Sequence, residues 1–302
     1  MPELPEVETV TRGLRRTIVG RRIVSVRLGK TDFIDDPPAL EQHLPGRQIE
    51  AVERYGKFML LRLSPVNRSV PVPANGDAQP AALLVHLGMT GQIASRPTAQ
   101  PCEKHTHASF LLDDNRELRY TDARRFGRLA FLSAGMLAEE LRAFGADPLE
   151  ISAEEFVIQT RSRRARIKAL LLDQSFLRGV GNIYADESLW RAKIHPARLG
   201  ASLKKMEVKT LHRVLREILQ KAIVLRGSSI SDFLDADGRP GEYQRHHRAY
   251  GRDGERCYRC SALIRRAIVA GRSSYFCPKC QPVPRGCRIL ALPRKPAKPA
   301  AK

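Results

Sequence analysis

Four cysteines near the end of the chain, in the pairs Cys257-x2-Cys260 and Cys277-x2-Cys280, restrict the fold more than any apolar run does. Two CxxC pairs sixteen residues apart have the spacing of a four-thiolate zinc site. Four protein ligands leave no open coordination position, so one zinc ion held there is structural. The gap contains Leu263, Ile264, Ile268 and Val269 among basic residues, which suits a β-hairpin with its turn at Ala270-Gly271-Arg272. Arg272 then either grips a phosphate or is a solvated arginine. Cys102 and Cys287 have no partner pattern and receive no role. Six cysteines, four of them in one cluster, fit a metal site in a reducing compartment rather than a disulfide framework.

The net charge of +20 is distributed unevenly. Residues 1–150 carry 20 Lys and Arg against 19 Asp and Glu, whereas residues 151–302 carry 32 against 13. Such asymmetry points to a polyanionic partner held mainly by the second half. No apolar run is long enough to span a membrane and no signal peptide is recognisable, so membrane and secretory classes lose support.

Read along the chain, Val7, Val10, Leu14 and Ile18 form the stripe of an amphipathic helix that Gly20 ends. Residues 22–28 alternate polar and apolar like a half-buried strand, and 47–53, 57–63, 82–87, 109–112, 117–121 and 128–132 read as further strands. A helix backed by six or more short strands suggests a β-sandwich. The insertion at 64–82, with four prolines and Asn75-Gly76, reads as a long, poorly ordered surface loop. From Ala134 the period becomes helical over 137–144, 153–159, 166–172, 183–192 and 205–225. These readings divide the chain into an N-terminal helix and sandwich over 1–133, a mainly α domain over 134–250, a zinc finger over 251–281 and a disordered basic tail over 282–302. Between two helices, Gly179-Val180-Gly181-Asn182 offers free backbone N–H groups with Asn182 as N-cap, suited either to a phosphate or to a plain interhelical turn.

The first residues, Met1-Pro2-Glu3-Leu4-Pro5-Glu6, carry chemistry of their own. If Met1 is removed, as is usual before a small residue, Pro2 presents a free secondary amine. An α-amino group titrates near 8, about two units below lysine, and is a usable nucleophile at neutral pH. The positive end of the helix dipole disfavours its protonation, and Glu3 places a carboxyl beside it. A proline at the helix start followed by first-turn glutamates is equally a good way to begin a helix.

Met-Pro-Glu-Leu-Pro-Glu-Val-Glu-Thr, His86-Leu87-Gly88-Met89-Thr90-Gly91, Arg124-Arg125-Phe126-Gly127, Gly179-Val180-Gly181-Asn182-Ile183-Tyr184-Ala185 and the four-cysteine finger together resemble bacterial formamidopyrimidine-DNA glycosylase, in shared order from residue 1 to about 281. The resemblance implies an α+β multidomain fold: an N-terminal helix with a β-sandwich, a helix–two-turns–helix domain and a C-terminal zinc-finger hairpin, with damaged double-stranded DNA bound between domains. It implies a monomeric, bifunctional glycosylase and AP lyase for oxidised purines, cytoplasmic and associated with the bacterial nucleoid. Carried over by position, Pro2 is the Schiff-base nucleophile and Glu3 the acid/base beside it. Lys57 is the strand lysine that donates a proton in β-elimination, and Arg272 the finger arginine associated with δ-elimination. His105, Arg124, Arg163 and Asn182 fall on DNA-contacting positions. Met89, Arg124 and Phe126 match the trio that fills the space of an extruded nucleotide, although Met89 and Phe126 read from the chain alone could be core residues. Ala123 stands where the family commonly has proline, and residues 227–248 match a loop that covers the flipped base. An endonuclease VIII-like enzyme for oxidised pyrimidines is the nearest alternative, which Leu4 and the trio disfavour. A non-catalytic zinc-finger DNA-binding protein would explain the charge equally well.

Overall fold

A computed structural model describes residues 1–65, 79–287 and the backbone of 290–291, so most of the 64–82 insertion and the end of the tail lie outside the described residues. Two compact units result. The first is Met1–Ala143 with Ile223–Glu242, and the second is Phe144–Ala222 with Tyr243–Lys302. This division differs from the boundaries drawn on periodicity: residues 134–143 and 223–242 pack with the sandwich, not with the helices.

In the first unit, helix α1 (Leu4–Ile18) turns its apolar stripe fully inward, with Leu4, Val7, Leu14 and Ile18 at 0% exposure. Burying each of these side chains is worth roughly 2 kcal/mol. Strands β1 (Ile23–Leu28), β6 (Thr106–Leu112), β7 (Arg116–Thr121) and β5 (Gln92–Pro97) form one antiparallel sheet in the order β1-β6-β7-β5. Strands β2 (Ile49–Tyr55), β3 (Phe58–Leu63), β4 (Ala81–His86) and β8 (Arg128–Ser133) form the other, in the order β2-β3-β4-β8. One cluster joins the two inner faces, Ile23, Phe110 and Leu118 meeting Val52, Leu61 and Val85. The β3 and β4 sequences, Phe-Met-Leu-Leu-Arg-Leu and Ala-Ala-Leu-Leu-Val-His, are nearly continuous apolar runs because their outer face is covered too. Leu60, Ala82 and Leu84 meet Leu137 of α3 (Ala134–Arg142) there.

Two elements of this unit were not read from the sequence: β5, a polar edge strand, and α2 (Pro37–His43), capped by the Asp36 carboxylate on Ala39 N at 3.1 Å. The 223–242 segment is tied to the start of α1. Glu6 Oε1 accepts from Ser228 N at 2.6 Å, and a Cβ on Gly227, which has φ +78°, would lie 2.5 Å from the same oxygen.

The second unit contains α4 (Ala153–Arg161), α5 (Ile167–Leu172), α6 (Asn182–Arg191) and α7 (Lys205–Val224), of which α7 ends at the boundary with the first unit. Strands β9 (Arg265–Val269) and β10 (Arg272–Phe276) make the expected hairpin. The tail is not wholly without structure: β11 (Leu290–Ala291) pairs antiparallel with β9 through Ile268 and Ala267. No helix among the described residues is long and apolar enough to cross a membrane.

His195, in the second unit, is 1% exposed, with Nε2 unpartnered among the described residues, and burial lowers it to about 4. A histidine held neutral in the fold contributes stability that is complete above its ordinary value near 6.5 and is lost as pH falls toward 4. Urea unfolding at pH 7 and pH 5 should therefore differ by about 2 kcal/mol on its account. His247, also lowered to about 4 by burial, acts in the same direction. His195→Gln should flatten this dependence.

Candidate active site

Pro2 is buried and Met1 exposed, so the residue whose removal frees the amine is the accessible one. With Met1 attached, the Pro2 nitrogen is a tertiary amide and inert. Glu3 is 3% exposed and sits at the N-cap of α1, in a capping box with Glu6. Glu6 Oε2 accepts from Glu3 N at 2.9 Å. Since Glu6 also holds Ser228, one carboxylate fixes both the first turn of α1 and the 227–228 segment.

Lys57 is 8% exposed and lies in the Gly56-Lys57 turn just before β3, not on the strand as expected. Its neighbour Phe58 stands opposite His86 on β4, with ring centroids 4.8 Å apart. His86 itself received no role from the sequence, although its motif was singled out. Burial lowers it to about 4, reinforced by the positive charges of Lys57, Arg128 and the chain's terminal amine. It is thus a neutral imidazole within electrostatic reach of both the terminal amine and Lys57. From its end of β4 the chain passes directly into the Gly88-Met89 turn. The missed signal was a histidine at the last position of an otherwise apolar strand.

Met89, Arg124 and Phe126 come together. They belong to two loops, after β4 and between β7 and β8, that buried Asp122 organises. Asp122 accepts from Thr90 Oγ1 at 2.5 Å, Arg124 N at 3.2 Å and Gly127 N at 2.9 Å. Gly88 has φ +57°, and a Cβ there would meet the Phe126 backbone at 2.4 Å, so the loops touch only because that position is glycine. The Arg124 guanidinium lies 4.6 Å from the Phe126 ring centroid, with Nη1 3.3 Å from Met89 Sδ. Met89 is 44% and Phe126 58% exposed, which excludes the core reading. His105 is exposed at φ 68°, and its carbonyl accepts from Asp122 N at 3.1 Å, so the same aspartate residue anchors its turn.

In the second unit, the Gly179–Asn182 loop is shaped by Gln174. Its amide donates to the Leu172 and Val180 carbonyls and accepts from Gly179 N at 2.8 Å. The N-cap of α6 is Gly181, not Asn182 as expected. Asn182 is the first helical residue, and its buried Oδ1 has no partner among the described residues. Arg163 lies over the Phe176 ring at 4.6 Å, and its buried Nη1 likewise has no partner among the described residues.

Arg272 opens β10 at the hairpin turn and is exposed. A buried ion pair supports that turn: Lys168 Nζ on α5 lies 2.7 Å from Asp186 Oδ1 on α6 and donates to the Ser273 carbonyl at 2.8 Å. Asp186 Oδ2 accepts from Tyr275 N at 3.0 Å. Both side chains are 0% exposed, so removing one leaves the other's charge buried without its counter-ion. Lys168→Met should cost about 3 to 5 kcal/mol in denaturant unfolding. At temperatures where the variant remains folded, it should still loosen the Arg272 turn, visible as faster amide exchange at Ser273 and Tyr275.

The Sγ atoms of Cys257, Cys260, Cys277 and Cys280 all lie within 4.8 Å of one another. A tetrahedral zinc with 2.3 Å bonds requires sulfurs about 3.8 Å apart, so the four fit one structural zinc ion. Burial and the neighbouring thiols push Cys280 up to about 12. Cys257 is brought down to about 6, against burial, by the amides of Arg259 and Cys260 and by the Trp190 indole. Four crowded thiols oppose one another's ionisation, a conflict that a divalent cation removes.

Three family models match the chain: the formamidopyrimidine-DNA glycosylase N-terminal domain over 1–129, its H2TH domain over 144–234, and the zinc finger found in FPG and IleRS over 254–283. The formamidopyrimidine-DNA glycosylase of Solibacter usitatus is 43% identical over 283 residues, covering 93% of this chain and 99% of that protein. That of Herpetosiphon aurantiacus is 41% identical, covering 93% and 100%. Among solved structures, MutM in complex with DNA containing carbocyclic 8-oxo-G superposes with a TM-score of 0.82 at 34% identity, covering 93% of this chain and all of that one. The Lactococcus lactis enzyme bound to DNA containing N7-benzyl-Fapy-dG gives 0.82 at 34%, with the same coverage. The Thermus thermophilus MutM protein gives 0.78 at 38%, covering 93% and 98%. With domain models, relatives and structures agreeing over nearly its whole length, the chain belongs to the formamidopyrimidine-DNA glycosylase family.

Proposed function

We propose that this protein excises oxidised purines, formamidopyrimidines and 8-oxoguanine among them, from duplex DNA through a Pro2 Schiff base and then nicks the strand by β,δ-elimination. The observation that carries the reading is the family-wide agreement of sequence and fold, joined to an N-terminal Pro2-Glu3 pair fixed at the head of α1. Once Met1 is removed, the Pro2 nitrogen attacks C1′ of the damaged nucleoside, and the C1′–base bond breaks as a proton reaches the leaving base. The ring-opened product is an iminium whose positive charge needs no further proton. It withdraws electrons from C2′, a base removes the C2′ hydrogen, and the C3′–O bond to the 3′ phosphate breaks. A second elimination expels the 5′ phosphate, and water releases the sugar fragment from Pro2. Glu3 shuttles protons to the ring oxygen and sugar carbons. Lys57 donates a proton in the first elimination, and Arg272 serves the phosphate lost in the second.

Extruding a base costs a few kcal/mol. Met89, Phe126 and Arg124 recover part of this by filling the gap with apolar and cationic surface, while His105, Arg163 and Asn182 hold the phosphates. The zinc ion takes no part in these steps and keeps the Arg272 hairpin folded. The enzyme acts as a monomer in the bacterial cytoplasm, associated with the nucleoid through DNA.

The test is cleavage of duplexes carrying 8-oxoguanine or thymine glycol, with borohydride added to reduce the iminium. Preferential cleavage of the 8-oxoguanine duplex, with a covalent protein–DNA adduct, supports the reading. Preference for thymine glycol moves the protein to the endonuclease VIII type, and failure to form any adduct with a chain beginning at Pro2 overturns the enzymatic reading.

A further inference from the structure

The second unit contains a pocket that the proposed chemistry does not use. It is a cavity of about 200 Å³ lined by the C-terminal half of α6, by α7 and by the Tyr243–Arg248 segment. It opens between Glu187 and Arg191, whereas the candidate phosphate loop lies at the other end of α6. The helix rises about 1.5 Å per residue, which separates Asn182 from Arg191 by about 13 Å. Trp190 and Tyr243 give the pocket aromatic walls, and Ile218 adds an apolar one.

Its charges do not balance. Glu187 accepts from the backbone amides of Arg248, Ala249 and Tyr250 at 2.8 to 2.9 Å, so its carboxylate is consumed beneath the surface. Arg191 is answered by Glu217 at 2.9 Å. Arg259 lies over the Trp190 ring at 4.0 Å and spends its donors on the carbonyls of Trp190 and Arg191. Two cations remain. Among the described residues Lys221 Nζ meets only His246 Nδ1, at 3.3 Å, and the Arg248 guanidinium lies over the Tyr258 ring at 4.2 Å. Neither meets a carboxylate among the described residues. Two unanswered cations converging on one cavity match a doubly charged anion with several acceptor oxygens better than a single carboxylate.

We propose that this pocket is a second anion site, which takes a phosphate group through Lys221, His246 and Arg248. The imidazole reinforces the assignment. Burial and the charges of Lys221 and Arg248 hold His246 below its ordinary range, with Tyr243, Arg191 and Arg259 facing it from the remaining walls and the carboxylate of Glu187 turned to the amides. A bound dianion reverses the local field, His246 takes up a proton, and binding tightens as pH falls. The inference does not rest on the catalytic reading: no step of the proposed chemistry is assigned to Lys221, His246 or Arg248, although the last two lie in the 227–248 stretch that resembles the loop over the flipped base.

Trp190 is the chain's only tryptophan, so selective excitation reports from this pocket alone. Inorganic phosphate titrated into the zinc-loaded protein at constant ionic strength should change Trp190 fluorescence saturably, and chloride should not. The Lys221→Ala/Arg248→Ala variant, its melting and zinc content checked, should bind at least about tenfold more weakly. Sulfate, whose charge is constant between pH 8 and pH 6, should bind severalfold more tightly at the lower pH, and His246→Gln should remove that dependence. A repeat with undamaged duplex present identifies the source. Competition marks a nucleic-acid phosphate and indifference a free phosphate or phosphate ester; either supports the site. No saturable response to phosphate, or an equal response in the folded double variant, overturns it.

Discussion

Pro2→Gly should lose about a hundredfold or more of borohydride-trappable adduct with abasic duplex DNA, while binding that duplex with nearly unchanged affinity. Glycine keeps an amine at the chain end but loses the ring. A secondary amine gives an iminium charged without a proton, whereas a primary amine gives an imine that must be protonated to draw electrons from C2′. Glycine also frees rotation about the N–Cα bond, so the lone pair that the proline ring holds in one direction is no longer aimed; Pro2 is buried and leads into the first turn through the Glu3–Glu6 box. Glu3→Gln should slow base excision by about 10² to 10⁴. A chain that retains Met1 should be inert, because its Pro2 nitrogen is an amide. Mass spectrometry of the N-terminus together with single-turnover cleavage checks all three, and undiminished cleavage by the Met1-retaining chain would rule the nucleophile out.

Removal of zinc should be the most damaging change to the second unit. Structural four-ligand zinc sites contribute about 10 to 16 kcal/mol of apparent binding energy to folding. The finger's own core is small: two five-residue strands, a two-residue third strand, and an apolar cluster that includes the cysteines with Trp190, Ala249 and Ile264, tied to α5 and α6 by a few hydrogen bonds from Lys168, Asp186 and Arg259. Chelation, or Cys277→Ser, should therefore unfold the hairpin, free Arg272 from the Lys168–Asp186 support and weaken duplex binding by at least about tenfold. Thermal melting with and without chelator, with zinc counted per chain, measures this. An unchanged melting curve for the metal-free protein would remove zinc from its structural role. The Pro2 and zinc experiments separate cleanly, since the first changes chemistry at constant binding and the second changes binding and stability together.

Some elements were legible because their residues announce themselves over a short window. The α1 stripe repeats every three to four positions, and seven strands lie on or within a few residues of short alternating or apolar segments bounded by turn residues. Two elements escaped for the complementary reason. In α2 only Leu40 is buried, so no stripe exists to read, although Asp36-Pro37 carries the cap and first-turn signals. The β5 sequence Gln-Ile-Ala-Ser-Arg-Pro is mostly polar because it forms a sheet edge, where side chains face water. Lys57 and Asn182 shifted by a single position, the usual reach of a turn or cap.

The sequence by itself determined which groups are available for chemistry: a proline and a carboxyl side by side behind the initiator methionine, four thiols at zinc spacing, and an excess of cations in the second half. Each depends on residue type and on neighbours a few positions away. Only the tertiary structure decided that residues 223–242 return to the sandwich to meet Glu6, that His86 feels both Lys57 and the terminal amine, and that Lys168 and Asp186 brace the Arg272 turn. It alone showed Met89, Arg124 and Phe126 stacked on an exposed pair of loops. Apart from the Arg124–Phe126 stack, two positions apart, these pairings join residues from eighteen to more than two hundred positions apart. Contacts at such separation leave no period in the chain, because packing and buried charge select them only after the local elements exist.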